Sequence, residues 1–212
     1  MTRHSVAGRD PVVAQGMADK REAILRAAGK VFAERGYHAT GISDIARELG
    51  AGHGTFYRYF KNKEDIARSV VSRALGQVMD ALADEDPGSC QSVAQYREQV
   101  RRIGHKLFDL VAAEPALCRI LFYDAIAIDR AEPDLAGKAM EAAAQYTAAF
   151  IHNGQDRGFL RRDLDAHVVG LAVNGMIVTG AVRLLHAQDP GAMRDPWIRT
   201  VETLMFDGLG SR

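Results

Sequence analysis

The sequence predicts an all-α fold, and three observations carry that expectation. Apolar residues recur at helical spacing through most of the chain, no stretch alternates apolar and polar residues as a half-buried strand would, and Gly or Pro stands at most joints between the periodic runs. The chain has 212 residues, 47% of them hydrophobic and 25% charged. That length suits one large domain or two small ones, and the composition excludes disordered and collagen-like classes.

Residues 1–18 read as a flexible arm, because Gly, Pro and isolated charges mix there without period. Asp19 followed by Glu22 has the form of a capping box. Behind it Ile24, Ala28, Val31 and Phe32 keep helical spacing, and Gly36 supplies a stop, which predicts a first helix from about Lys20 to Arg35. A shorter helix follows: Thr40 or Gly41 opens it, Ile42, Ile45, Ala46 and Leu49 share one face, and Gly50 closes it. After the turn "AGHG", a third helix begins near His53 or Gly54. Phe56 and Phe60 lie four residues apart on its inner face, available to Phe32, Ile45 and Leu49. Two helices separated by a short Gly-containing turn are the sequence form of a helix-turn-helix.

The outward side of that third helix carries Tyr57, Arg58 and Tyr59, with Lys61 and Lys63 just beyond. Phenol hydroxyls, a guanidinium and ammonium groups donate to phosphate oxygens, and the ring bodies can line a groove wall. His53, Gly54 and Thr55 stand where a recognition helix meets base edges. Up to Ile66 the chain has eleven basic and eight acidic residues, a net +3 in a chain of net charge +0. The excess is small but lies largely around this segment, where a polyanion would use it.

The segment "ATGISDIARELGAGHGTFYRYFKNKEDI", Ala39 to Ile66, preceded by "VFAERGY" at Val31 to Tyr37, resembles the DNA-binding segment of the TetR family of transcriptional regulators. The resemblance covers roughly residues 20 to 66 and implies a three-helix DNA-binding domain at 19–66. A fourth helix would join it to a larger helical domain, 67–212, that dimerises and encloses a small apolar ligand. Carried over by position, it makes Tyr57 and Lys63 phosphate contacts, Tyr59 a backbone contact, His53 and Thr55 base readers, and Arg58 either. Thr40 to Ser43 would touch phosphate across the groove. Two positions depart from the family pattern: Gly52 stands where a Ser is frequent, and Ile42 where a hydroxyl residue is.

Beyond Ile66 the periodic runs predict helices from Asn62 to about Asp84, Ser92 to Ala113, Pro115 to about Ile128, Pro133 to about Gly158, Asp163 to about Ala187, and Asp195 to Leu209. Gly170, Gly175 and Gly180 interrupt an otherwise strong helix at a cost of about 1 kcal/mol each relative to Ala. Close helix approach at a dimer interface, or room for a ligand, would offset that cost. The resemblance implies a homodimer built on the last two long helices, and two-fold symmetry then implies a palindromic double-stranded DNA operator. Phe108, Phe122, Tyr123, Tyr146, Phe150, Asn174 and Met176 are candidate residues of a ligand cavity. Among them Asn174 is the polar pointer, because a buried amide needs partners.

Other chemistries find little support. Cys90 and Cys118 are far apart and outside any C-x-x-C spacing, which suggests neither a disulfide framework nor a zinc site. No G-x-S-x-G, P-loop, H-E-x-x-H or E-x-x-H string occurs, so no catalytic residue, metal or cofactor is expected. In "DLDAH", Asp163 or Asp165 reads as a helix cap rather than a metal ligand, and Cys118 as a small apolar residue. The first residues lack a signal-peptide h-region. The run Val168–Val182 is shorter than the ~20 residues of a membrane span, so no membrane partner and a cytoplasmic location are expected. The competing reading is a helical small-molecule binding or carrier protein whose helix-turn-helix no longer binds DNA, with Gly52 and Ile42 as the signs of decay.

Overall fold

The computed structural model describes residues 11–119 and 135–209, which form helices joined by turns and short loops. In order these are α1 (Pro11–Arg35), α2 (Ile42–Leu49), α3 (His53–Phe56), α4 (Lys63–Ala81), α5 (Val93–Ala113), α6 (Pro115–Arg119), α7 (Leu135–Asp156), α8 (Ala166–Leu185) and α9 (Pro190–Leu209).

Helix α1 starts well before the expected Lys20, at Pro11, so residues 11–18 are helix rather than arm. Proline suits a first helical turn, where its missing N–H has no intrahelical use. Asp19 is therefore interior rather than a cap, and its carboxylate accepts from Gln15 Nε2 at 2.9 Å. Glu22 turns instead to Arg73 of α4. Helix α2 ends as its sequence demands: Gly50 has φ +66°, and the N–H groups of Gly50 and Ala51 reach the carbonyls of Arg47 and Ala46. Helix α3 is a single turn, and the chain then continues through Tyr57–Tyr59 in turn geometry. Phe56 and Phe60 are nonetheless both buried, at 1% and 3% exposure, because the amide of Phe60 still bonds the Phe56 carbonyl at 2.9 Å.

The N-terminal core packs Ile24, Leu25, Ala28 and Phe32 of α1 on Ile45, Phe56 and Phe60, and closes against Ile66, Val70, Val71 and Ala74 of α4. A boundary at residue 66 thus falls inside a continuous helix whose first three turns belong to that core. Asn62 caps α4 by accepting the Asp65 N–H at 2.8 Å, while the Asp65 carboxylate accepts the Lys61 N–H at 2.9 Å.

The remaining helices form a second bundle. Ser92 caps α5, and Asp165 caps α8 by accepting two backbone N–H groups, the role read for the acidic residues of "DLDAH". Helix α9 begins five residues before the expected Asp195. Asp189–Pro190 and Asp195–Pro196 both carry the start signal of a capping acid before a proline. The first is used, Asp189 accepting the Ala192 N–H at 3.0 Å, and Pro196 is absorbed in the helix. Of the segment expected from Pro115 to Ile128, the described part is Pro115–Arg119.

Two of the three α8 glycines serve packing within the chain. A Cβ at Gly170 would lie 2.5 Å from the Ala144 carbonyl oxygen of α7, and one at Gly180 would lie 2.4 Å from Trp197 Nε1 of α9. Gly175 faces open space. Helix α8 reaches 20 residues, long and apolar enough by composition to cross a membrane, but its Val173, Asn174, Ala181 and Leu184 are buried in this bundle.

Gly170→Ala is expected to lower the melting temperature, with a loss of about 1–3 kcal/mol as α7 and α8 are forced apart. Gly76→Ala on α4, where a Cβ meets nothing within 4 Å, is expected to be neutral or stabilising by up to about 1 kcal/mol. Thermal unfolding of the two variants measures the contrast.

Candidate nucleic-acid interface and ligand cavity

The turn between α2 and α3 leaves His53 and Gly54 exposed and Thr55 half-buried at the start of α3. Tyr57 is 62% exposed, Arg58 is exposed beside it, and Tyr59 is half-buried against the N-terminal core. Arg35 and Arg47 share Asp44, and Lys30 is tied to Glu48. Among the described residues Arg58 and Lys61 have no carboxylate partner, which leaves their charge on the face that carries Tyr57.

Two of the expected phosphate donors are committed inside the fold. Thr40 is 2% exposed, and its hydroxyl donates to the Gly36 carbonyl at 2.9 Å, finishing the end of α1. Ser43, exposed at the start of α2, is the hydroxyl at this corner that an incoming phosphate can reach. The Lys63 ammonium donates to the carbonyls of Tyr37 and Thr40, both at 3.0 Å, and lies 4.3 Å from the centre of the Tyr37 ring. It locks the α1–α2 corner to the start of α4, and a phosphate would share an ammonium already holding two acceptors.

In the second bundle a cavity of about 380 Å³ opens between α4, α5, α6, α7, α8 and α9. Its wall includes Phe108, Tyr146, Phe150 and Asn174, four of the expected ligand residues. Met176 does not line it and packs against the neighbouring core, because two residues' rotation on α8, about 200°, turns it away from Asn174. Phe122 and Tyr123 lie outside the described residues. Sequence reasoning passed over the α4 contribution of Val71, Leu75, Val78, Met79 and Leu82, together with Thr147, Cys118 and Trp197. The α4 residues had the spacing of ordinary core, and only the surplus of apolar positions beyond Ala74 hinted at a second partner.

Aromatic packing shapes one side of the cavity. Tyr96 stacks on Phe150 with centroids 6.2 Å apart, and Tyr146 meets Phe150 edge-on at 5.2 Å. Burial pushes the Tyr96 phenol far above its ordinary value and the Cys118 thiol up to about 11, so both are neutral wall groups at physiological pH. The Tyr146 hydroxyl donates to the Glu85 carbonyl at 3.0 Å, just past the end of α4. The Glu85 side chain, only 2% exposed, receives Arg102 at 3.0 Å and Lys106 at 2.8 Å from α5. Burial alone would raise its carboxyl, but these two hydrogen bonds and cations outweigh it and hold the group below its ordinary value.

Comparison with known proteins adds family context. Residues 24–70 match the model described as "Bacterial regulatory proteins, tetR family". The fatty acid metabolism regulator protein of Bacillus subtilis is 36% identical over 91 residues, 43% of this chain and 45% of that protein, so the alignment spans just under half of its length. EthR of Mycobacterium tuberculosis, an HTH-type transcriptional regulator, is 29% identical over 191 residues, 88% of this chain and 84% of that one. Among solved structures, FadR from Bacillus subtilis in complex with stearoyl-CoA superposes with a TM-score of 0.73 at 24% identity, covering 88% of this chain and 98% of that one.

The Glu85 cluster makes a prediction about acid stability. A carboxyl held below its unfolded value contributes stability above the ordinary Glu value of about 4.3, and loses it as pH falls through the lowered folded value. Glu85→Gln is therefore expected to melt below the wild type at pH 7 and to converge with it towards low pH, as read in melting curves across that range.

Proposed function

We propose that this chain is a transcriptional regulator of the TetR family, whose model its residues 24–70 match, and that it acts as a homodimeric repressor released from a palindromic operator by a small apolar effector. The observation that carries this reading is helix α4. Val71 and Leu75 pack with the core beneath the helix-turn-helix and also line the cavity, so a ligand filling that cavity touches the same helix that carries the DNA-binding domain.

In this reading His53 and Thr55 read base edges, Tyr57, Tyr59, Arg58 and Ser43 contact the backbone, Gly54 lets the chain approach closely, and Lys63 holds the corner while lending its charge. The domains divide near Ala74 in packing terms, with α4 continuing as the connector. The two recognition helices of a dimer sit at the spacing of successive major grooves, ~34 Å apart. An effector that prefers another tilt of α4 changes that spacing. A coupling of about 1–3 kcal/mol lowers operator affinity roughly 5- to 150-fold. The stearoyl-CoA of the Bacillus subtilis FadR structure supports an acyl-like effector, and an apolar cavity of about 380 Å³ falls in the range that small-molecule sites occupy. A DNA-binding regulator of this kind works in the cytoplasm.

The dimer is assigned to α8 and α9. Val168, Leu171 and Gly175 lie exposed along α8, and Leu204 is 59% exposed on α9, giving an apolar face beside the small residues that close approach needs. Val168→Glu combined with Leu204→Glu is expected to shift the protein from dimer to monomer in light scattering. The same double variant should lose affinity for a duplex with two half-sites while keeping its weak affinity for one.

The test of the DNA function is selection of random duplexes at near-physiological salt. An enriched inverted repeat is expected, whereas salt-sensitive retention with no enriched sequence would favour the carrier reading. On the selected operator, Tyr57→Phe is expected to weaken all sequences alike, and His53→Ala to change the sequence preference. An unchanged preference for His53→Ala would remove it as a base reader.

A further inference from the structure

Asn174 breaks the apolar lining of the cavity. It is 7% exposed, and its Oδ1 accepts the Thr147 hydroxyl at 3.2 Å, while its Nδ2 has no hydrogen-bond partner. A buried amide N–H without an acceptor is costly, and native proteins rarely leave one so unless something binds there. The neighbouring Trp197 Nε1, also on the wall, is a second donor without a partner and lies against Gly180. The Tyr146 hydroxyl is already committed to backbone carbonyls. Among the described residues no Asp, Glu, Lys, Arg or His lines the cavity.

The described residues of this wall therefore offer spare donors, no spare charge and a large apolar surface. A carboxylate placed here would lose its hydration without meeting a cation, and an ammonium or quaternary amine would meet no anion. A pure hydrocarbon would bury its own surface well but leave the Asn174 amide unsatisfied. A neutral carbonyl flanked by apolar chain satisfies both constraints, because its oxygen accepts and it brings no proton needing a partner of its own.

We propose that the cavity selects a neutral carbonyl compound without an N–H or O–H of its own, an ester, thioester or ketone with an apolar chain, whose oxygen accepts a hydrogen bond from Asn174 Nδ2. This rests on the reading of the cavity as the effector site and names the chemical class it takes. Asn174 is then the specificity-determining residue: the apolar wall supplies affinity, and the amide decides where along the ligand the carbonyl stands.

Trp197 is the only tryptophan of the chain and lines the cavity, so its fluorescence reports occupancy directly. Purified full-length protein is titrated with methyl decanoate and with sodium decanoate at pH 7.5. The ester is expected to bind saturably and at least about tenfold tighter than the carboxylate. Asn174→Leu should weaken the ester roughly twofold to tenfold, the worth of one neutral hydrogen bond, with no fall in melting temperature.

A measurement on the wild type alone keeps the idea exposed should that variant misfold. The infrared carbonyl stretch of carbonyl-¹³C methyl decanoate is expected to shift to lower frequency when bound, relative to the ester in hexane. Equal or tighter binding of decanoate, an unshifted carbonyl band, ester affinity unchanged in a folded Asn174→Leu, or no saturable binding of either probe would each overturn the proposal. The regulator reading fails separately. Specific operator binding released by a ligand lacking a carbonyl would keep that reading and sink this one, whereas ester binding without any selected DNA sequence would do the reverse.

Discussion

Val71 is buried under the helix-turn-helix and, on the same turn of α4, contributes to the cavity wall, so the two halves of the molecule meet in one rigid element rather than across a flexible linker. Everything else is arranged around that constraint. The first three turns of α4 complete the core made by α1, α2 and the Phe56–Phe60 pair. Its last two turns present Leu75, Val78, Met79 and Leu82 to the cavity. Because protein interiors are close-packed, a ligand cannot enlarge the cavity without moving a wall, and α4 is the wall that carries the DNA-binding surface.

The two ends of that helix are held differently. At the start, the Asn62 cap, the Asp65 carboxylate and the Lys63 ammonium tie α4 to the corner between α1 and α2, through bonds to backbone carbonyls and amides. Just past its far end, Glu85 is gripped by Arg102 and Lys106, and the Tyr146 hydroxyl holds the neighbouring backbone. The first set makes the helix-turn-helix move with α4. The second ties the end of α4 to α5 and α7, the two helices that contribute the largest shares of the cavity wall.

Charge is used sparingly and in place. The chain has no net charge, yet paired arginines and lysines cover α1, α2 and α5 while Arg58 and Lys61 stand without carboxylate partners beside the exposed Tyr57. A local rather than a global excess of positive charge is what directs a phosphate backbone to one face. The cavity shows the opposite economy: among the described residues no charged group lines it, and its unpartnered donors are the Asn174 amide and the Trp197 indole N–H. The same chain thus separates a surface that carries uncompensated positive charge from a cavity wall without charged groups among the described residues.

What the sequence determined by itself is the part written in short-range rules. The helix-turn-helix was legible because its signals lie within a few residues of their effects: Gly50 in the left-handed region, Phe56 and Phe60 one turn apart, Asn62 three residues before the N–H that it caps. The all-α class was legible from period alone. Tertiary structure decided the rest, wherever two readings were locally equal or the partner was remote. The two Asp–Pro starts of α9 look alike until packing selects the first. Thr40 could face solvent or its own helix end, and the fold turns it inward. Lys63 finds its acceptors 26 and 23 residues away, and Asn174 meets Thr147 across 27. Gly170 needs its missing side chain only because Ala144 of another helix lies against it. Local periodicity fixes which residues turn inward, but which inward residues meet, and which are left without a partner, depends on contacts that close only when distant helices pack.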